Sequence, residues 1–347
     1  MAFAKWFTLT SSDLAIDLGT ANTVVYVRDQ GVVLSEPSVV ALRIENGIPK
    51  VLAVGDEAKL MMGKTPDDIR AIRPLRNGVI SDLDVAEQML KHFIRKAQGV
   101  RGAALSRPEI VICVPSGSTV VERRAIRDAA SNAGAKRVWL IDEPMAAAIG
   151  ANLPVTNPVG SMIVDIGGGT TEVGVISVGG MHMSTSVRVG GDHMDEAIAS
   201  YIRRHHNLMI GESTAERVKK EIGAAGRING SGGMTATIKG RDVVRGNPGE
   251  LQVTRAEICE AIAEPVSQIV EVVRSALEKT APEIAADIIE GGIIMTGGGS
   301  LLAEIDAVLS DATGLPVFVA ESPLDCVALG AGRALEEPHY AGVLHAI

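Results

Sequence analysis

Hydrophobic residues along this chain cluster into short β-branched runs that stop at glycine-rich turns. Between them lie stretches in which apolar residues recur at helical spacing. The run Met162-Ile163-Val164 ends in Asp165-Ile166-Gly167-Gly168-Gly169-Thr170-Thr171, and a second strand leaves through Val173 and Val175. Residues 13–26 follow the same grammar: a strand through Leu14-Ala15-Ile16, then Asp17-Leu18-Gly19-Thr20-Ala21-Asn22-Thr23, then Val24-Val25-Tyr26. Gly31 lies fourteen residues after Asp17, and Gly179 fourteen after Asp165. Each opens a third strand, Val32-Val33-Leu34 and Met181-His182-Met183. Two three-stranded meanders with an aspartate at the first turn predict an internal duplication.

A second repeated block supports it. Glu109-Ile110-Val111-Ile112-Cys113-Val114 reads as a buried strand, and Thr119 with Glu122 forms a capping box for a helix running to Gly134. A strand through Val138-Trp139-Leu140-Ile141 leads to Glu143-Pro144 and the small-residue helix Ala146-Ala147-Ala148-Ile149-Gly150-Ala151. The later copy has Ile293-Ile294-Met295, then Thr296-Gly297-Gly298-Gly299, with a helix predicted over residues 300–312. Its strand Val317-Phe318-Val319 precedes Val327-Ala328-Leu329-Gly330-Ala331. Ala-Ile-Gly-Ala therefore answers Ala-Leu-Gly-Ala, and small residues at equivalent places predict two closely crossing helices about which the halves pivot.

Two insertions account for the remainder. The first carries strand-like Val39-Val40-Ala41-Leu42 and Val51-Leu52-Ala53-Val54, a short helix from Gly55-Asp56-Glu57, and a helix from Asp82 with Val85, Met89, Phe93 and Ile94 on one face. A loop is expected from Gln98 to Arg107. In the second insertion Asp192 is expected to cap one helix, and Ser213 with Glu216 to form a capping box for the next. Residues 235–239 and 251–253 pair as a hairpin, and Thr254 with Glu257 caps a long helix kinked near Pro265.

The net charge of −9 offers no basic stripe and argues against nucleic acid as a partner. Cys113, Cys259 and Cys326 lie far apart without metal-ligand spacing, as expected of buried thiols in a reducing cytoplasm. No apolar run reaches the length of a spanning helix. Phe3, Trp6 and Phe7 fall on one face of a helical turn beside Lys5; that end either tucks into the body or anchors in a membrane interface. Ala104 and Leu105, flanked by Arg101 and Arg107, form a second apolar tip able to touch a membrane.

Glycine-rich turns present bare N–H groups to phosphate oxygens, and Asp17 and Asp165 at the strand tips offer carboxylates to a hydrated Mg²⁺. A capped hairpin turn explains either stretch alone; the pair, facing each other across a pseudo-twofold, is expected to hold the phosphates of a nucleotide. Thr20, Ala21 and Asn22 supply donors from one side and Gly168, Gly169 and Thr170 from the other, while Thr296, Gly297, Gly298 and Gly299 lie flat against a purine and ribose. No Gly-x₄-Gly-Lys-Ser/Thr sequence occurs, so this is not a P-loop protein.

These motifs, in this order across nearly the whole chain, resemble the actin/Hsp70/sugar-kinase superfamily and, within it, the bacterial actin-like cell-shape family MreB. Residues 16–23, 140–148 and 165–173 carry the resemblance almost letter for letter. It implies an α/β, actin-like ATPase fold: two ribonuclease-H-like domains, each with a small inserted subdomain, and ATP or ADP with Mg²⁺ in the interdomain cleft. The expected division is 1–12 as a membrane-anchor candidate, 13–152 plus 324–347 as the first domain with its small subdomain near 36–78, and 153–323 as the second with its own near 190–256. The resemblance assigns the attacking water to Glu143 and Thr170, the nucleoside to Glu216, Arg217, Val218 and Lys219, and the metal, through water, to Asp17 and Asp165. It further implies slow ATP hydrolysis coupled to polymerisation, and cytoplasmic filaments peripheral to the inner membrane that organise wall synthesis and rod shape. Membrane proteins of the elongation machinery such as RodZ are the implied partners. A small-molecule kinase of the superfamily would need an acceptor pocket facing the γ-phosphate. A chaperone-type ATPase would be expected to continue into a β-rich substrate domain where this sequence ends at Ile347.

Overall fold

The computed structural model describes residues 13–102, 107–226 and 233–346, so Phe3, Trp6, Phe7, Ala104 and Leu105 lie outside the described residues. Two sheets dominate. The first has six strands in the order His345–Ala346, Arg137–Asp142, Glu109–Val114, Leu14–Leu18, Asn22–Val27, Gly31–Pro37. The second has five, and read from the matching edge the order is Val317–Val319, Ile293–Thr296, Ser161–Ile166, Thr171–Ser177, Gly180–Val187. In both, the aspartate-bearing strand is antiparallel to the meander strand after it and parallel to the strand of the later block. Both meanders also carry a register shift between their second and third strands, at Val25/Tyr26 and Val175/Ile176. The repeat read from the sequence is therefore a repeat of topology, down to the bulge.

The strands form because their Val and Ile side chains are buried on both faces. Leu14, Ala15 and Ile16 have no exposure, nor do Ile163 and Val164. Such doubly covered strands need helices on each side. The helix Glu143–Gly150 and the helix Cys326–Glu336 fill the space between the sheets and pack on one another. Their glycines set the distance. A Cβ at Gly150 would lie 1.8 Å from the Cys326 carbonyl oxygen, and one at Gly330 would lie 1.8 Å from that of Ala146. Arg333 donates to the Ile149 carbonyl at 2.8 Å and to Asn152 Oδ1 at 2.6 Å, satisfying the end of the first crossing helix.

The insertions meet above this crossing through ion pairs. Lys59, on the helix Asp56–Met61, lies 2.9 Å from Glu216. Arg73, nearly buried, pairs with Asp192 at 3.2 Å and with Glu212. Glu216 also takes Lys220 at 2.6 Å. Burial alone would push the Glu216 carboxyl up, but hydrogen bonds and charge from Lys220 and Lys59 win and hold it at about 2.

Several local expectations are corrected. Asp192 does not cap its helix, which is Gly191–His206 with Gly190 at the capping position; its carboxylate is turned to Arg73. Ser213 and Glu216 form no capping box, because the helix starts two residues earlier, as Glu212–Ile222 with Gly211 at the capping position, and the two lysines have captured the Glu216 carboxylate. The expected helix over 300–312 splits into a 3₁₀ turn, Gly298–Leu301, and a helix, Ile305–Thr313, separated by Glu304 at φ 64°. Of the loop expected from Gln98, residues up to Gly102 belong instead to the preceding helix, Leu83–Gly102, which breaks at Gly99, φ 67°. The capping boxes at Thr119/Glu122 and Thr254/Glu257 are formed as read, and the helix Arg255–Glu278 runs through Pro265 as one element.

Two outcomes are expected. Gly330→Val forces the crossing helices apart and lowers stability by about 3 kcal/mol, the upper end of overpacking costs, in urea unfolding; Gly342→Ala, with nothing within 4 Å of its Cβ, is the neutral control. Because the Glu216 carboxyl is depressed from 4.5 to about 2, the stability it contributes is complete above pH 4.5 and is lost as pH falls toward 2. Replacing Lys59 and Lys220 together by Met moves the Glu216 titration, followed by carboxyl NMR, back toward 4.5 and flattens the acid dependence in that window.

Candidate functional site

The two aspartate hairpins come from different sheets and meet at the floor of the cleft. A Cβ on Gly168 would sit 2.6 Å from Ala21 Cβ, and one on Gly169 would sit 2.7 Å from Thr20 Oγ1 and 2.9 Å from Asn77 Cα. Only glycine permits that approach. Each turn is braced from behind. Thr20 Oγ1 accepts from Gly78 N at 3.0 Å, and Ser38 donates to the Gly19 carbonyl at 2.7 Å while sharing a hydrogen bond with Thr23. On the other side Gly167 N donates to Thr170 O at 2.9 Å, and the carbonyls of Gly167 and Gly168 accept from Gly191 N and Asp192 N at 3.0 and 2.8 Å. Thr20 and Ala21 are thus brought against Gly168 and Gly169, with Asn22 and Thr170 in the same two turns.

Carboxylates gather around the same point. Asp165 and Thr170 are buried, and so is Glu143, the first residue of the first crossing helix. Asp17 keeps a partial opening but is surrounded by protein. Burial, then the charges of Asp165 and Asp325, push Asp17 up to about 8. Burial likewise raises Asp165 to about 6, against a hydrogen bond from Thr296 Oγ1 at 2.9 Å that lowers it. Glu143 is pushed well above the ordinary carboxylate value by burial, then by Glu172, Asp17 and Asp165.

The donor set suits a hard divalent cation. Two oxygen-bearing carboxylates whose mutual repulsion resists ionisation would both be relieved by a positive charge between them. Among the described residues no three His, Cys, Asp or Glu side chains are placed to hold one metal ion together. A cation here would therefore be held with one or two carboxylates and otherwise by water and phosphate oxygens, the coordination Mg²⁺ prefers.

Thr296 is fully buried, and its neighbours pack against the second hairpin. Gly297 adopts φ 78° and donates to the Pro323 carbonyl at 2.8 Å, while a Cβ at Gly299 would fall 2.2 Å from Ile166 Cγ2. Gly298 faces Leu324. Of the helix residues assigned to the nucleoside, Glu216 and Arg217 line a cavity of about 660 Å³ with Lys59, Ser213, Lys220 and Glu221. Val218 instead turns into the core, and Lys219 reaches back to the Gly191 carbonyl at 2.7 Å and to Asp195 at 2.9 Å, bracing the second hairpin.

Sequence reading missed Glu172, Lys59, Arg73 and the Asn77-Gly78 turn. Glu172 had a legible signal: in an antiparallel pair it stands directly opposite Asp165, so the two side chains share a face. Lys59 and Arg73 gave none, since their partners lie far along the chain.

The family model described as MreB/Mbl protein matches residues 11–342. The chain is 53% identical over 338 residues to the cell shape-determining protein MreB of Haemophilus influenzae, covering 97% of this chain and 96% of that protein. It is 48% identical over 324 residues to the cell shape-determining protein Mbl of Bacillus subtilis, covering 93% and 96%. Among solved structures, MreB5 of Spiroplasma citri bound to AMPPNP superposes with a TM-score of 0.88 at 37% identity, covering 96% of this chain and 99% of that one. The same protein bound to ADP gives 0.86 at 38%, covering 95% and 99%. With its paired aspartate hairpins, its two crossing helices and a family match along almost its entire length, the chain belongs to the MreB/Mbl family of actin-like proteins.

Proposed function

We propose that this chain binds ATP and ADP with Mg²⁺ between the Asp17 and Asp165 hairpins, hydrolyses ATP slowly, and polymerises with its own copies into filaments. By the same reading the filaments lie against the inner membrane, where with membrane proteins of the elongation machinery they organise wall synthesis and maintain rod shape. The relatives named for cell shape and the nucleotide-bound structures of MreB5 support it. The single observation that carries it is the contact of two glycine-threonine turns, one from each half, over a buried carboxylate cluster. Residues 13–152 plus 324–347 and residues 153–323 are the two domains of this reading. The pairing of His345–Ala346 with the strand Arg137–Asp142 favours returning the C-terminal segment to the first.

Asp17 and Asp165 would hold Mg²⁺ through water, where it would supply positive charge against that developing on the phosphates. The chain's own residues do the rest. Backbone N–H groups of residues 20–22 and 168–170 cradle phosphate oxygens and keep water out. Glu143, rigid at the start of a buried helix, orients a water in line with the γ-phosphate, and Thr170 fixes that water from the opposite half. Glu216 and Arg217 border the nucleoside end.

Glu143→Ala is expected to leave ATP affinity nearly unchanged by calorimetry and to slow phosphate release at least tenfold, about 1.4 kcal/mol of barrier. The variant should still pellet with ATP and outlast wild-type polymer. Unchanged phosphate release would remove Glu143 from the site.

A further inference from the structure

Thr170 and Glu143 come from different halves, so their separation depends on whatever ties the halves together beside them. Glu172, on the strand Thr171–Ser177, has no exposed surface. Its carboxylate accepts from Ser116 N at 3.1 Å and Ser116 Oγ at 2.5 Å, both in the loop after the strand Glu109–Val114 of the first half, and from Ser186 Oγ of its own sheet. Ser116 is tied in turn: its carbonyl accepts from Arg123 at 3.4 Å, and Arg123 donates to Asp142 Oδ1 at 2.6 Å. Asp142 is the residue before Glu143. On the other flank, a Cβ at Gly78 would lie 2.9 Å from Pro115 Cγ and 3.2 Å from Thr170 Cγ2, so the same loop is wedged close to Thr170.

We infer that Glu172 is a positioning residue for hydrolysis: through Ser116, Arg123 and Asp142 it sets where Glu143 stands relative to Thr170. The inference rests on the ATPase reading above. Fully enclosed, Glu172 has no route to the nucleotide. Only a carboxylate accepts three donors here at once, and two of them belong to the half it must capture. Its burial beside Asp165 and Glu143 adds negative charge to an already acidic site, a cost that an apolar residue in a merely structural position would not incur.

The test is steady-state phosphate release by the full chain across ATP concentrations, with ATP affinity by calorimetry and folding by thermal melt. Glu172→Ala should lower kcat at least tenfold with KM and ATP affinity within threefold. Glu172→Gln, which keeps an acceptor for Ser116, should recover most of that loss. Ser116→Ala should lower kcat about threefold, and Glu172→Ala with Ser116→Ala should be no slower than Glu172→Ala alone, since both remove one tie. If Glu172→Ala does not fold, the kcat-only effect of Ser116→Ala carries the test. A folded Glu172→Ala with wild-type kcat, a change in KM alone, or additive losses would overturn the inference and leave the ATPase reading standing. Wild-type protein that binds ATP but releases no phosphate would overturn both.

Discussion

Negative charge held out of water is the constraint around which this structure is arranged. Asp17, Asp165, Glu143 and Glu172 arrive from two sheets and one helix, and each is raised above its ordinary value chiefly by burial. A cluster of this kind is stable only with hydrogen-bond donors, protons or a cation to answer it. The protein supplies few cations at that spot: Lys59, Arg73 and Lys219 are committed to Glu216, to Asp192 and Glu212, and to Asp195. The hairpins above the cluster instead offer backbone N–H groups, which suit an anion that brings its own metal. Charge and shape thus ask for the same ligand.

The crossing of Glu143–Gly150 with Cys326–Glu336 makes that arrangement stiff where it must be and loose where it can be. At Gly150 and Gly330 backbone meets backbone, so the floor of the cleft cannot widen without separating the helices. The tops of the two halves are joined differently, by partly exposed ion pairs between insertions, and such pairs are screened by salt and individually weak. A rigid floor and a charge-clasped roof are what a two-jawed site needs if the nucleotide is to change how the jaws stand. Glu143 sits at the floor and Glu216 at the roof, so both ends of a bound nucleotide would report on closure.

Much of this was legible in the residue order. The meanders could be read because each buried strand stops at an aspartate and a glycine-threonine turn, and the crossing because Gly150 and Gly330 sit at matching places. The capping boxes at Thr119 and Thr254 were legible because the signal is local. The expected cap at Asp192 and the expected box at Ser213/Glu216 failed for a non-local reason: Arg73 and Lys59, from the opposite insertion, compete for the Asp192 and Glu216 carboxylates. The break at Glu304 depends on a left-handed residue for which glutamate gives no hint. Val218 and Lys219 were read as a contiguous block with Glu216, but helical geometry sends neighbours to different faces, one to the core and one back to Gly191. Glu172 lies within residues 165–173, but what sets it apart is its place opposite Asp165 in the strand register and its contact with Ser116 of the other half.

The central claim is that a triphosphate lies between the two hairpins, and a crystal structure of the chain grown with AMPPNP and magnesium tests it most directly. The account predicts density for the phosphates bounded by residues 20–22 and 168–170, the metal within one water of Asp17 and Asp165, and Glu143 facing the terminal phosphate. Nucleotide density outside that cleft, or phosphates directed away from both aspartates, would contradict it.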